Sequence, residues 1–349
     1  MAILYKEKER LSLSGDPTIK PTIKMKKTRG YSGGFAIACS AAVLAVTAAG
    51  TAGCKTHLNS GRNNPGDDKT YHIRFEPSTG SAYHYDLTDE SNLRVKVEDK
   101  DVETRRKSEI GVNYRISRDS NDLVLEINYD KIHIYTKNGD AVTELDADDA
   151  SSSTFNAGSQ LLSGLKGAKI VARVSPGGTI RSVSGYQEVI NKVLETDYGQ
   201  EADKAKTRLM WQQLVEQGIL KKNMDQLIRA FPDSALHIGD RWKINSTEKE
   251  DIPFNLENVY QLVSIDDGIA TIRSEGQLSG DSSASMLMGY TVTSDLKGTE
   301  EGTYQVDIRT GMPVSAEVTA KVAGAVQLAG RDAEIKMETT AKLSGKIIK

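Results

Sequence analysis

The feature that most constrains this chain is a period of two in its apolar residues, repeated over much of its length. Alternate positions from Ile110 to Ile116 are apolar, and the alternation resumes at Leu123 after the polar segment 118–122. Because successive side chains of a strand point to opposite faces, this pattern predicts antiparallel strands with one apolar and one hydrated face. The same pattern recurs in residues 170–174, 304–308, 314–322 and 333–343.

A stretch between the two β regions has a helical period instead. Apolar residues at helical spacing occur in three groups, at 189–194, 209–215 and 224–228. Glycines and Pro232 interrupt the stretch, so it favours short helices rather than one long helix. We therefore expect two or three short amphipathic helices that cover the apolar face of the sheet.

These patterns together predict an α+β fold. It would be a large curved antiparallel sheet, half-barrel or sandwich-like, with two or three short helices packed on one face. Residues 71–185 would form the first β half, 186–236 the helical segment and 237–349 the second β half, with 71–349 as one structural unit. The two halves share an outline, which indicates either a diverged duplication or two meanders with similar turns.

The N-terminal region has the features of an export signal. Lys26, Lys27 and Arg29 precede a short apolar run that ends in small residues, and no acidic residue occurs between positions 25 and 53. This order is typical of a secretory signal peptide, which we place at residues 25–53. Residues 1–24 fit neither a signal nor a domain, and we expect them to be an extension from a start assigned too early.

The residues after the apolar run resemble the lipobox of bacterial lipoproteins. In that motif the signal is cleaved before the cysteine, here between Gly53 and Cys54, and the cysteine is acylated. Thr51 departs from the pattern, which usually has a branched apolar residue at that position. Two alternatives stay open: cleavage after residues 48–50, or an uncleaved anchor, although about fifteen apolar residues fall short of the roughly 20 that a spanning helix needs. The lipobox-like residues are Thr51, Ala52, Gly53 and Cys54.

Cysteine content and charge agree with an exported protein that a lipid anchors to the membrane. Cys39 would be removed with the signal, so Cys54 alone would remain, without an internal disulfide or a multi-thiolate metal site. Removal of residues 1–53 takes away more basic than acidic residues, and the full chain already has a net charge of −3. A mature acidic chain is a poor partner for nucleic acid, whose phosphates need concentrated positive charge.

The segment 54–70 is expected to be a flexible tether between the lipid and the folded region. It has one large apolar residue together with glycines and a proline, a composition typical of disorder. A flexible coil of that length would reach roughly 20 Å on average. Lys55 is not the aspartate that retains some lipoproteins in the inner membrane, so we expect an outer membrane lipoprotein of the bacterial cell envelope.

No catalytic, metal-binding or cofactor-binding motif is recognised in the chain, so we expect no enzyme activity, no metal and no cofactor. A Gly-x-Ser-x-Gly match at 30–34 lies in the signal region and follows no strand, so it is interpreted as chance. An acidic group lacks the glycine and glutamate of a calcium loop and is interpreted as a solvated loop. Its members are Glu144, Asp146, Asp148 and Asp149.

The histidines and tryptophans are interpreted as structural residues. No two histidines have a spacing that builds a metal site, and surface positions are expected for all of them. Trp211 and Trp242 are expected in the core. The histidines are His57, His72, His84, His133 and His237.

Four short segments resemble an uncharacterised family of bacterial exported lipoproteins with no assigned function. They are the Tyr-His-Tyr of 83–85, the Pro-Gly-Gly hairpin of 174–185, the Ile-Gly-Asp-Arg-Trp of 238–242 and the Thr-Gly-Met-Pro of 310–313. The resemblance spans roughly residues 71–349 and implies no catalytic residues. The predicted layout is also similar to the half-barrel lipoprotein carriers of the envelope.

These observations favour a non-catalytic lipoprotein, attached to the membrane through Cys54, that binds a hydrophobic ligand, a lipid or an envelope protein. The ligand would lie between the sheet and the helices. Two alternatives remain open, an envelope hydrolase that acts on polymers and a scaffold subunit of an envelope assembly.

Acylation predicts that a fatty-acid analogue fed to cells will label the wild-type protein and will not label Cys54→Ala. The change removes the thiol that carries the acyl chain, whereas Cys39→Ala, within the signal, serves as the matched control and should keep the label. Gel fluorescence of the purified protein measures both. Label that persists in Cys54→Ala would refute acylation at this site.

Overall fold

The fold is taken from a computed structural model. It describes residues 55–58, 69–149, 157–175, 178, 180–196, 231–248, 254–280, 285–287, 290–328 and 331–348, with scattered positions between 204 and 220. The first half contains the strands β1 Lys55–Leu58, β2 Ala82–Val97, β3 Lys100–Asp119, β4 Asp122–Asn138, β5 Ala141–Asp146, β6 Ile170–Val174 and β7 Ile180–Ser184, and the helices α1 Ala157–Lys166 and α2 Gln187–Thr196. The second half contains β8 Arg241–Glu248, β9 Phe254–Asp266, β10 Ile269–Gly280, β11 Ser285–Leu287, β12 Tyr290–Asp307, β13 Pro313–Leu328 and β14 Arg331–Ile348.

All fourteen described strands belong to one sheet, and every pairing in it is antiparallel. The main path runs in the order β1-β8-β9-β10-β12-β13-β14-β2-β3-β4-β6-β7, while β11 pairs with β12 and β5 with β4. Most neighbours are consecutive in sequence and form hairpins. Two pairings join the two halves: the short one of β1 with β8, and the long one of β14 with β2, which runs from Glu334 opposite Lys96 to Ile348 opposite Ala82.

The predicted α+β class is wrong, because strands make up most of the described residues and helices cover little of the sheet. The large antiparallel sheet is present, but the described helices do not form a layer across one face; most of the second and third predicted helical groups, 209–215 and 224–228, lies outside the described residues. Helix α2 coincides with the first predicted helical group, and α1 was not predicted. Both helices lie near β4 and β5, at one end of the sheet.

Part of the apolar face is buried without any described helix residue. Strands β2, β3, β12 and β14 have 16 to 20 residues each, and their alternate residues are buried. We call the face with these buried residues the inner face. One of the three buried clusters on this face contains strand residues only, so the described helices do not account for its burial.

The buried apolar residues form three clusters. The helix-side cluster joins β2, β3, β4 and β6 to α1 and α2, with Leu161 and Val112 fully buried. The strand-only cluster joins residues of β2, β9, β10, β12, β13 and β14, including Leu93 and Met337. The tryptophan cluster surrounds Trp242 at the β8 end of the sheet.

The outer face of the sheet is polar and carries cross-strand ion pairs. Lys321 Nζ lies 3.3 Å from Glu338 Oε1, and Lys342 Nζ lies 3.2 Å from Glu317 Oε1. Exposed pairs of this kind contribute little to stability. These ion pairs therefore add little to the stability of the sheet.

Strand β1 lies within the segment that was expected to be a tether. Lys55 to Leu58 pair with β8, with Lys55 opposite Ile244 and Leu58 opposite Arg241. Residues 59–68 and the segment before Lys55 lie outside the described residues. In the described part of the chain, no helix is both long and apolar enough to cross a bilayer.

The turn between β12 and β13 contains a glycine that lies against another segment of the chain. Gly311 has a φ of 65°, and a Cβ there would overlap the backbone of Arg74. Gly268, in the β9–β10 turn, has a φ of 80° with nothing within 4 Å of its Cβ position. The two glycines therefore share a left-handed backbone conformation, but only Gly311 lies close to another segment of the chain.

We expect Gly268→Ala to lower the free energy of unfolding by about 1–2 kcal/mol, the cost of the left-handed conformation. Gly311→Ala should cost about 1–3 kcal/mol more, because the segment around Arg74 must also move. Urea denaturation of the two variants measures the difference. Equal losses would show that the segment at Arg74 does not pack against this turn.

Candidate functional site

The inner face carries a band of polar residues, which we call the polar belt. All of its members are buried except Arg106, which is partly exposed. Buried polar groups cost free energy unless they are hydrogen-bonded, so a band of them within an apolar face needs a physical reason. The polar belt consists of Asp89 and Ser91 in β2, Thr104, Arg106 and Ser108 in β3, Asn258 in β9, Ser274 in β10, Glu300 in β12 and Thr339 in β14.

Strand register brings much of the belt into one row across the sheet. Residues directly opposite each other on neighbouring strands point to the same face, so each pairing extends the row by one strand. The row passes through small residues in β10 and β13 and ends in β4. In order from β9 it contains Asn258, Gly276, Glu300, Ala320, Thr339, Ser91, Arg106 and Thr136.

The belt separates two apolar zones of the inner face. In β2, Leu87 belongs to the helix-side cluster and Leu93 to the strand-only cluster, and the belt residues lie between them. In β12, Leu296 and Tyr304 lie on either side of Glu300 and belong to different clusters. Along the strands the inner face is therefore apolar, then polar, then apolar again.

At the β9 end of the row, Asn258 and Glu300 meet across strand β10. Asn258 Nδ2 donates a hydrogen bond to Glu300 Oε1 at 3.0 Å and a longer one to the Tyr260 hydroxyl at 3.4 Å. A Cβ at Gly276, which lies between them, would overlap Asn258 Oδ1 and lie 3.0 Å from Glu300 Cβ. The glycine is what allows the amide and the carboxylate to reach each other.

Two residues further along β10 and β12, the space next to the belt is also filled by protein side chains. Ser274 Oγ donates a hydrogen bond of 3.4 Å to the Tyr304 hydroxyl, and a Cβ at Gly302 would lie 2.7 Å from that same hydroxyl. The Tyr260 ring lies 6.1 Å from the Tyr304 ring and stacks on Trp242 at 5.6 Å. This end of the belt is a packed polar core.

At the opposite end the belt reaches solvent. Arg106 is partly exposed, and so is Thr136, which is opposite it in β4. Thr143 in β5 is opposite Thr136 and is exposed. These three residues point to the same face, so the inner face is accessible from the β5 edge. We call this region the open end of the belt.

Arg106 carries the positive charge of the open end. Its Nε is buried, and burial lowers the pKa of the guanidinium, whereas the nearby Asp89 carboxylate acts to raise it. Arginine stays charged in proteins, so the side chain presents a cation to the interior of the sheet. Thr104 and Ser108 lie two residues away on either side of it, on the same face.

Several buried polar atoms of the row have no hydrogen-bond partner within the part of the chain that the structure describes. They are Arg106 Nε, Asn258 Oδ1 and Thr339 Oγ1. Each such group costs about 1–3 kcal/mol when it is left without a hydrogen bond. Water or a polar group of a bound molecule would recover that cost, and the open end provides a route of entry.

The lipobox-like residues Thr51, Ala52, Gly53 and Cys54 lie outside the described residues, and so do the signal peptide at 25–53 and residues 1–24. The structure therefore does not test lipidation. The first described residue after Cys54 is Lys55, where β1 begins.

The acidic group and the histidines are not members of the polar belt. Glu144 Oε1 is 2.7 Å from His133 Nε2, and Lys166 forms an ion pair with Asp148. His84 Nδ1 is 3.0 Å from Asn113 Oδ1. Within the described ranges, no three His, Cys, Asp or Glu side chains are grouped so that they could hold a metal ion.

The two tryptophans are in the core. Trp242 is 1% exposed and stacks on Tyr260, while its Nε1 finds no hydrogen-bond partner among the described residues. Trp211 is also buried and stacks on Tyr186 at 6.4 Å. Neither ring lies at the open end of the belt.

A surface pocket of about 350 Å³ is a weaker candidate site. It lies near the β12–β13 turn and is open to solvent. One of its two arginines, Arg309, is already engaged by Asp307, with Nη2 at 3.0 Å from Oδ2. Its lining residues are His72, Arg74, Glu76, Ile308 and Arg309.

Sequence reasoning missed the polar belt, although a signal for it was present. Asp89 and Ser91 occupy the inner parity of β2, between Leu87 and Leu93, and therefore interrupt an apolar stripe. Glu300 interrupts β12 in the same way. The interpretation followed only the apolar members of each stripe, and the row across the sheet depends on a register that the sequence alone does not reveal.

Comparison with known proteins gives a family without an assigned activity. A model of the DUF6263 family, described as a family of unknown function, matches residues 120–313, which is more than half of the chain. The curated proteins include none that matches this chain in sequence.

Similarity to solved structures is weak. A structure of lipovitellin that concerns lipid–protein interactions has a TM-score of 0.45 and 12% identity over 79% of this chain, which spans only 26% of the lipovitellin chain. An outer membrane channel from Pseudomonas putida F1 has a TM-score of 0.25 and 7% identity, covering 82% of this chain and 99% of the channel. The translocator domain of the autotransporter NalP from Neisseria meningitidis has a TM-score of 0.18 and 8% identity, covering 76% of this chain and 90% of the translocator chain.

Gly276→Ala is expected to lower the free energy of unfolding by about 2–4 kcal/mol, because the methyl group would push Asn258 away from Glu300 inside the packed end of the belt. Gly167→Ala is the matched control, since the nearest atoms to its Cβ position are 3.9 Å away. It should stay within about 1 kcal/mol of wild type. Chemical denaturation measures both, and a Gly276→Ala protein as stable as the control would contradict this geometry.

Proposed function

We propose that this chain, which belongs to the DUF6263 family of unknown function, is a membrane-anchored envelope lipoprotein that binds a ligand on the inner face of its sheet and catalyses no reaction. The observation that carries the proposal is the polar belt. It combines buried polar atoms that lack partners in the described structure with an opening to solvent at the β5 edge.

The chemistry of the belt favours binding over catalysis. Its members are hydroxyls, carboxylates, an amide and one guanidinium, without a histidine, lysine or cysteine. The two carboxylates, Asp89 in β2 and Glu300 in β12, lie three strands apart in the sheet, about 14 Å along it, which is wider than the spacing of a catalytic carboxylate pair. Apolar zones lie on both sides of the belt, as suits a ligand with a polar group and an apolar body.

Membrane attachment would be through lipid on Cys54, for which the export signal and the lipobox-like sequence are the support. Because β1 starts at Lys55 and pairs with β8, an acylated Cys54 would hold the β1 edge of the sheet beside the bilayer. Lys55 after the cysteine favours the outer membrane by analogy with lipoproteins that an aspartate retains in the inner membrane.

The ligand site is tested with a bulky residue at the open end. Thr143→Trp places an indole on the inner face at an exposed position, so it should narrow the entry without disturbing the core. Val142→Trp is the matched control, because Val142 is the preceding residue of β5, points to the outer face and is 55% exposed.

We expect the full chain, freed of co-purifying lipid, to bind the neutral apolar fluorophore N-phenyl-1-naphthylamine saturably. Thr143→Trp should weaken binding about 10-fold or more, a change of roughly 1.4 kcal/mol, and Val142→Trp should leave it unchanged. A wild-type protein without saturable binding, or equal losses in the two variants, would contradict a ligand site on the inner face.

A further inference from the structure

Arg106 is the member of the belt that indicates most about the chemical class of the ligand. It is paired with Ser91 in β2 and with Thr136 in β4, which place hydroxyl groups on both sides of its position. Its Nε is buried without a hydrogen bond in the described part of the chain, while the side chain as a whole is partly exposed. The guanidinium thus faces both the interior and the open end.

We propose that Arg106 binds the anionic group of an amphipathic ligand, a carboxylate or phosphate joined to an apolar chain. This inference rests on the proposed function, since it names the class of ligand that the inner face would bind. A guanidinium forms charge-assisted hydrogen bonds with both kinds of anion, and its planar fork suits their paired oxygens. Neighbouring hydroxyls can donate further hydrogen bonds to the same oxygens.

Apolar residues on the same face continue from Arg106 toward the β2–β3 turn. Val102 is four residues from Arg106 in β3, a distance of about 13 Å along a strand, and it is opposite Val95. Val97 and Val102 are only partly buried, unlike most apolar residues of the inner face. An apolar chain that extends from the guanidinium toward the turn would cover them.

The charges around Arg106 set the expected selectivity. Asp89, on the inner face of β2, is the acidic member of the belt that acts on the guanidinium. Lys107 and Glu90 point to the outer face, where Lys107 Nζ lies 2.8 Å from Glu109 Oε1. Asp89 would compete with a ligand anion for Arg106, so its replacement should strengthen anion binding while leaving neutral ligands unaffected.

The test compares three molecules with the same twelve-carbon chain: dodecanoate, dodecyl phosphate and the neutral dodecanol, each below its micelle concentration. Binding to the lipid-freed full chain is measured by isothermal titration calorimetry. The wild type should bind at least one of the two anions about 10-fold or more tightly than dodecanol. The preferred anion identifies the headgroup as carboxylate or phosphate.

Arg106→Gln should remove that preference and leave dodecanol binding unchanged. Arg105→Gln is the matched control, because Arg105 is the adjacent residue, points to the outer face and pairs with Glu103 at 2.8 Å. It should bind all three molecules as the wild type does. Asp89→Asn provides an independent measurement if Arg106→Gln does not fold, and it should bind the preferred anion several-fold more tightly.

The outcomes separate this inference from the proposed function. Equal binding of the anions and dodecanol by the wild type would overturn the role of Arg106 and leave ligand binding on the inner face intact. Anion binding that survives in Arg106→Gln, or that does not tighten in Asp89→Asn, would overturn it also. A wild type that binds none of the three molecules would remove both proposals.

Discussion

The pairing of β14 with β2 is the contact on which the rest of the structure depends. It joins the last described strand to the first long one, and it includes every residue of β2 except Val97. Without it, the two β halves would each expose a long edge and the row of polar residues would end at Thr339. With it, Asn258 in the second half and Arg106 in the first lie on one continuous face.

That continuous face combines buried apolar residues with buried polar ones, which have opposite effects on stability. Its apolar zones stabilise the fold by burial, whereas the polar belt between them places charged and hydrogen-bonding groups where water is scarce. At the β9 end the conflict is resolved internally, since Asn258 and Glu300 bond across Gly276. At the β5 end it is resolved by access to solvent. The same belt is thus a packed core at one end and open to solvent at the other.

The helices have a smaller part in this arrangement than the sequence pattern indicated. Residues 189–194 form a helix as expected, and Val189 and Ile190 are buried, but α1 and α2 cover only the end of the sheet near β4. The prediction assumed that an apolar sheet face must be covered by helices. The strand-only cluster departs from that assumption, because its apolar side chains pack among themselves without a described helix residue.

The sequence by itself determined which residues alternate between the faces of each strand, because that depends only on the strand period of two. The buried positions of β3, β4 and β14, including Val112, Leu125 and Met337, follow that alternation. The prediction of an export signal and the resemblance of residues 51–54 to a lipobox likewise depend on local order alone. Only the tertiary structure decided that β14 pairs with β2, and therefore that Glu300 and Arg106 share one row. Pairing between distant strands depends on register and on competition among edges, which no local pattern encodes.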